Sequence, residues 1–115
     1  MVNYQWNIFW ANLDPTAGSE QSGTRPVLVI SAEEANESLP IVTILSLTSV
    51  KPGRKVYSIE SLLKAEDTGL PRDSIAMAHQ IRAVSKERLG EVCGQITSEE
   101  IKDDIRRAIK TYLDM

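Results

Sequence analysis

A chain of 115 residues, 42% hydrophobic and 25% charged, suits one soluble globular domain. Its net charge of −3 excludes a protein that coats nucleic acid through a general basic excess, while leaving room for a local basic site. The single cysteine, Cys93, excludes a disulfide framework or a multi-cysteine zinc site and suits a reducing compartment.

In chain order, Ile8 to Leu13 mixes aromatic and β-branched residues with partial alternation and ends at the turn signal Asp14-Pro15, which predicts a first strand. The stretch from Gly18 to Gly23 has little to bury and reads as a mobile surface loop. A second strand is expected from Arg25 to Ser31, built on the apolar run Val27 to Ile30. Glu33 to Ser38 reads as a single helical turn before Pro40, Ile41 to Leu47 as a strand closing on Thr48-Ser49, and Lys51-Pro52-Gly53-Arg54 as a turn. Val56 to Ile59 is expected to pair back as the next strand. The pattern weakens from Ser61 to Pro71, with a turn over Asp67 to Pro71.

Ser74 to Ile81 predicts a strand of small residues, Lys86 to Leu89 one helical turn, and Glu91 to Ile96 the last strand. Thr97 with Glu100 three residues later reads as a capping box. Behind it Ile101, Ile105, Ala108, Ile109, Tyr112 and Leu113 fall on one helical face. The expected fold is therefore mainly β within the α+β class, a small antiparallel barrel carrying a C-terminal amphipathic helix. No Gly-rich nucleotide loop, internal repeat or linker interrupts it. No apolar run approaches the ~18 residues of a membrane span, and no charged-then-apolar leader opens the sequence, so a cytoplasmic protein is expected. A chain this small also gains by burying surface against a second copy.

The acids concentrate in Glu33 to Glu37 and Glu99 to Asp104, so that Arg25, Lys51, Arg54, Lys55 and Arg72 are free to converge in the fold. With one histidine and no clustered aspartates, metal catalysis has little support, and a histidine pair for cutting RNA is ruled out. The remaining chemistry-bearing residues are Arg25, Glu20, Thr48, Ser49, Ser19, Gln80 and His79. Such a set, rich in donors and with one or two proton acceptors, suits an anionic transition state such as a phosphorane. Trp6 and Trp10 are candidates for packing in a core or a dimer interface, or for stacking on bases.

Leu13-Asp14-Pro15-Thr16, Gly18-Ser19-Glu20-Gln21, Gly23 and Arg25-Pro26-Val27-Leu28-Val29-Ile30-Ser31 together resemble the signature of the MazF/PemK family of toxin endoribonucleases. Leu47-Thr48-Ser49, Gly69 to Ser74, Gln80-Ile81-Arg82 and Lys86 to Gly90 resemble its later blocks, in the same order along nearly the whole chain. The resemblance implies one PemK-like, SH3-like toxin domain over residues 1–115. It also implies a homodimer and metal-independent, sequence-specific cleavage of single-stranded RNA, without a cofactor. The products would be a 2′,3′-cyclic phosphate and a 5′-hydroxyl, and a MazE-like antitoxin would inhibit the enzyme.

Carried over position by position, Arg25 and Thr48 match catalytic positions and Glu20 the loop carboxylate. Ser19 and Gln21 belong to the loop that closes over RNA, Gln80 lies near the site, and Ser49 and His79 complete the expected substrate-binding set. A guanidinium is protonated at neutral pH and so is a poor general base; Arg25 is expected instead to stabilise charge and is a candidate proton donor, with Thr48 as hydroxyl donor. Glu20 and His79 are alternative general bases.

Three positions depart from the family pattern. Trp6-Asn7 stands where a glycine and a carboxylate are common, Thr24 where a second basic residue often precedes the arginine, and His79 where a carboxylate is frequent. Two other readings share the fold: a gyrase poison that acts by binding, and an inactive relative that only binds an antitoxin.

Overall fold

Side-chain alternation dictates the architecture. Val27, Leu28 and Val29 are all fully buried, yet successive residues of a strand point to opposite faces, so this strand needs cover on both sides. The computed structural model, which describes residues 3–115, provides that cover by curling one antiparallel sheet on itself. Its strands are β1 (Asn7–Asn12), β2 (Thr24–Val29), β3 (Ile41–Ser49), β4 (Glu60–Leu63), β5 (Ser74–Ser85) and β6 (Leu89–Gln95), in the spatial order β4-β5-β3-β2-β1-β6. Helices α1 (Glu33–Ser38), α2 (Ala65–Thr68) and α3 (Glu99–Leu113) connect or cover it, with a 3-10 turn over Lys86–Arg88. This is the mainly β barrel with a C-terminal helix that the sequence leads one to expect.

The central strands feed two cores. Ile8, Leu28, Leu45 and Leu47 point toward α3 and cluster with Leu63, Ile96 and Ile105. Their neighbours Phe9, Val27, Val29 and Ile44 point the other way and cluster with Leu13, Val42 and Val84. Where β6 crosses behind this sheet, Gly94 has no alternative, because a Cβ there would lie 2.7 Å from the carbonyl oxygen of Thr68.

Several boundaries differ from those expected. Val56 to Ile59 is not a strand: Val56 and Tyr57 are exposed, and the Glu60 amide turns back to the Tyr57 carbonyl at 2.9 Å. The strand begins at Glu60, whose buried carboxylate is held by Arg54 at 2.7 Å and by the Tyr57 amide at 3.0 Å. Residues 65–68 form α2 where only a turn was expected, and β5 extends four residues beyond Ile81, to Ser85. At α3 the cap is Ser98 and not Thr97, the Ser98 hydroxyl accepting from the Ile101 amide at 3.4 Å. Of the expected apolar face, Ile105 and Ala108 are buried, Ile101 and Ile109 pack partly, and Tyr112 and Leu113 remain exposed.

One irregularity positions the site. Ser46 pairs with Met77 and Ile44 with Arg82, so the single residue Leu45 faces the four residues Ala78 to Ile81. Such a bulge breaks the strand's alternation and re-aims its side chains. His79 and Gln80 lie inside it.

Candidate active site

In β2, Arg25 lies on the same face as Val27 and Val29, and in β3, Thr48 lies on the same face as Ile44 and Ser46. The two strands are antiparallel, with Val27 opposite Ser46 and Leu28 opposite Leu45. Extending that register by two residues sets Arg25 opposite Thr48, at the end of the strands. Both are half-buried. Among the described residues Arg25 has no ion-pair partner, and its Nε donates to the Ser22 carbonyl at 2.9 Å. That bond orients the guanidinium while leaving its charge unneutralised, as an anion site requires.

The loop over this pair is fastened at several points. Gly23 takes φ +77°, a conformation that favours glycine, and its amide donates to the Asp14 carboxylate at 3.0 Å while its carbonyl accepts from Leu13 at 2.9 Å. From the bulge, the Gln80 carboxamide reaches across. Its Oε1 accepts from the Gln21 amide at 3.1 Å, and its Nε2 donates to the Ser19 carbonyl at 3.3 Å. Gln80 thus straddles Glu20, which is exposed and whose carboxylate accepts from the Ala17 amide at 2.7 Å.

The structure therefore brings Arg25, Thr48, Ser19, Glu20, Gln21 and Gln80 to one mouth of the barrel. It separates the other two expected residues from them. Ser49 follows Thr48 onto the opposite face, where it lines a pocket with Trp10 and Arg72. His79 turns toward α3, its ring edge-on to Tyr112 with centroids 6.4 Å apart, close enough to Glu60 to help hold that carboxyl in its charged form.

Two residues that the sequence did not single out border the same face. Ser46 is fully buried, and its hydroxyl has no hydrogen-bond partner; Arg82 is half-buried, with one terminal nitrogen, Nη1, equally unpartnered. Unsatisfied buried polar atoms are rare in proteins and here cluster at the bulge. The sequence signal for Ser46 was a hydroxyl between Leu45 and Leu47 in a mostly apolar strand, two residues before Thr48.

With this geometry established, the chain can be set beside known proteins. Residues 4–113 match the family described as PemK-like, MazF-like toxin of type II toxin-antitoxin system. The endoribonuclease MazF9 of Mycobacterium tuberculosis is 35% identical over 113 residues, covering 94% of this chain and 93% of that protein. The endoribonuclease EndoA of Bacillus subtilis is 30% identical over 114 residues, covering 98% and 96%. Among solved structures, MazF from Deinococcus radiodurans superposes with a TM-score of 0.82 at 26% identity, covering 100% of this chain and 99% of that one.

Proposed function

Because this chain belongs to the PemK-like, MazF-like toxins of type II toxin-antitoxin systems, we propose that it is a sequence-specific endoribonuclease cutting single-stranded RNA, chiefly messenger RNA, under the restraint of a MazE-like antitoxin. It acts in the cytoplasm as a homodimer of one-domain chains and needs no metal. The observation that carries this reading is the pairing of an unneutralised Arg25 with the Thr48 hydroxyl beneath a loop that presents Glu20.

The reaction uses these groups as follows. Arg25 pairs through its planar fork with the two nonbridging oxygens of the scissile phosphate, and Thr48 donates to the same phosphoryl group. Glu20 gives up its Ala17 amide and takes the proton of the neighbouring 2′-hydroxyl. The 2′-oxygen then bonds to phosphorus as the bond from phosphorus to the 5′-oxygen breaks, and the leaving oxygen takes a proton from Arg25 or solvent. The products are a 2′,3′-cyclic phosphate and a 5′-hydroxyl. The orientation of His79 toward Tyr112 favours Glu20 over it as base.

Cleavage of a mixed-sequence RNA in excess EDTA, with the ends mapped, tests the proposal. Wild type is expected to leave cyclic phosphates at a restricted set of sequences, and Arg25→Ala to lose about 10²- to 10³-fold in kcat. A folded, antitoxin-free protein that cuts no RNA would overturn the reading in favour of a toxin that acts by binding.

A further inference from the structure

On the opposite side of the strand ends from Arg25 and Thr48 lies a pocket of about 130 Å³ lined by Trp10, Pro26, Ser49, Leu70, Pro71 and Arg72. Whole small-molecule sites usually occupy about 300 Å³ or more, so this pocket admits one group of a larger chain. Its aromatic wall is Trp10, 46% accessible. The same residue lines a second hollow with Asn12, Thr24 and Leu89, so the indole stands as a partition with open space beside it on both sides. Through Arg72 the pocket continues into a groove bordered by Lys51, Gly53 and Arg54. Among the described residues Arg72 and Lys51 have no ion-pair partner, and the neighbouring acid, Asp73, is tied to the Ala65 amide at 2.8 Å.

The geometry points to a base-stacking subsite: Trp10, with Pro26 and Pro71, takes one unpaired nucleobase of an RNA strand beside the cut, while Arg72 and Lys51 hold the adjoining phosphate. It rests on the proposed RNA-cleaving function. A flat indole open on its sides, flanked by the apolar C–H surfaces of two prolines, suits a planar base, and the cations next to them suit its backbone. Pro26 follows Arg25 and Ser49 follows Thr48, so a strand passing over the strand ends meets the phosphoryl site on one face and this pocket on the other.

Binding is measured with Arg25→Ala protein, which leaves the RNA uncut, in a Trp6→Phe background where Trp10 is the remaining tryptophan. A short single strand is expected to quench Trp10 fluorescence. An abasic nucleotide walked along that strand is expected to weaken binding about tenfold at one position. The loss should persist in Trp10→Phe, vanish in Trp10→Ala, and be accompanied by a similar loss on Arg72→Gln. An abasic walk without a sensitive position, the same loss in Trp10→Ala, or quenching by an acidic, apolar peptide but not by RNA would each overturn the subsite. The two readings fail separately. Position-dependent quenching by a protein that never cuts RNA sinks the endoribonuclease alone, whereas cleavage with unchanged KM in Trp10→Ala sinks the subsite alone.

Discussion

Gln80 hydrogen-bonds the main chain on both sides of Glu20. Its expected contribution is to hold the carboxylate in place, so Gln80→Ala should lower kcat about tenfold, the worth of one or two hydrogen bonds, and speed hydrogen exchange at the Gln21 amide. A normal kcat with fast exchange at that amide would show that loop position does not limit the reaction. Trp6 poses a different single-residue problem. It has φ +68°, where side chains cost roughly 1 kcal/mol or more, and it stands where the family resemblance leads one to expect glycine. What it gains is cover: Lys102 and Arg106 lie over its ring at 5.6 and 5.1 Å, and it packs against the core below α3. Trp6→Ala keeps the backbone cost and loses the cover, whereas Trp6→Gly loses both. Urea denaturation should therefore rank glycine above alanine by about 1 kcal/mol, the reverse of the order at an ordinary strand position. The sequence exposed the anomaly at Trp6 as a departure from a pattern, but its cause is a dihedral angle, which no residue name reveals.

Elements were legible where polarity and burial agreed. Val27 to Val29 is an apolar run and Ile41 to Leu47 a mostly apolar one, and both lie in strands, although the first ends one residue short of Ile30. The strand at Glu60 escaped notice because its first two residues are polar and buried: Glu60 is satisfied by Arg54, and the Ser61 hydroxyl donates to Asp104 at 2.5 Å. Arg54 lies in the preceding turn and Asp104 lies 43 residues on, in α3, so the strand's own residue pattern has no trace of either. The exposed Val56 and Tyr57 supplied a false strand signal in the same neighbourhood. The bulge in β5 was hidden for a related reason, since it is a mismatch in length between two strands. Helix α3 was plain from its periodicity, yet its cap was misplaced by one residue, because Thr97 and Ser98 are both good caps and only the backbone chooses. Ser98→Ala should cost about 1 kcal/mol in urea denaturation and Thr97→Ala only a few tenths; equal losses would mean that the cap is shared.

At the scale of the molecule, three carboxylates tie distant segments together. Burial pushes Glu60 up, but Arg54 and the Tyr57 amide outweigh it and hold the carboxyl below its ordinary value. Burial likewise opposes Asp104, which Arg107 and Ser61 pull down, and Glu33, which the Gln5 amide, Asn36, the Tyr4 amide and Lys86 pull down. A carboxyl depressed in the folded state contributes stability that is complete above its unfolded value, about 4, and is lost as pH falls through the folded one. Urea midpoints at fixed protein concentration should thus stay level from pH 7 to about 5 and fall below about 4. Glu60→Gln should flatten that fall while lowering the midpoint at pH 7; an unchanged acid limb would place the linkage in other groups. The whole fold was more legible than the site. The alternating strands and the terminal helix announce a small barrel, and Arg25 and Thr48, singled out through the family resemblance, fall opposite each other in the extended strand register. That Ser49 and His79 face elsewhere follows from strand parity and the bulge, neither of which shows in composition. The way the Glu20 loop is mounted also bears on how such a protein can diverge. Its fastening by Gln80 runs entirely through main-chain atoms of Ser19 and Gln21, so the side chains at those two positions are free to change without dismantling the mount. Substitutions at Ser19 and Gln21 can thereby change what the loop presents while Glu20 stays mounted.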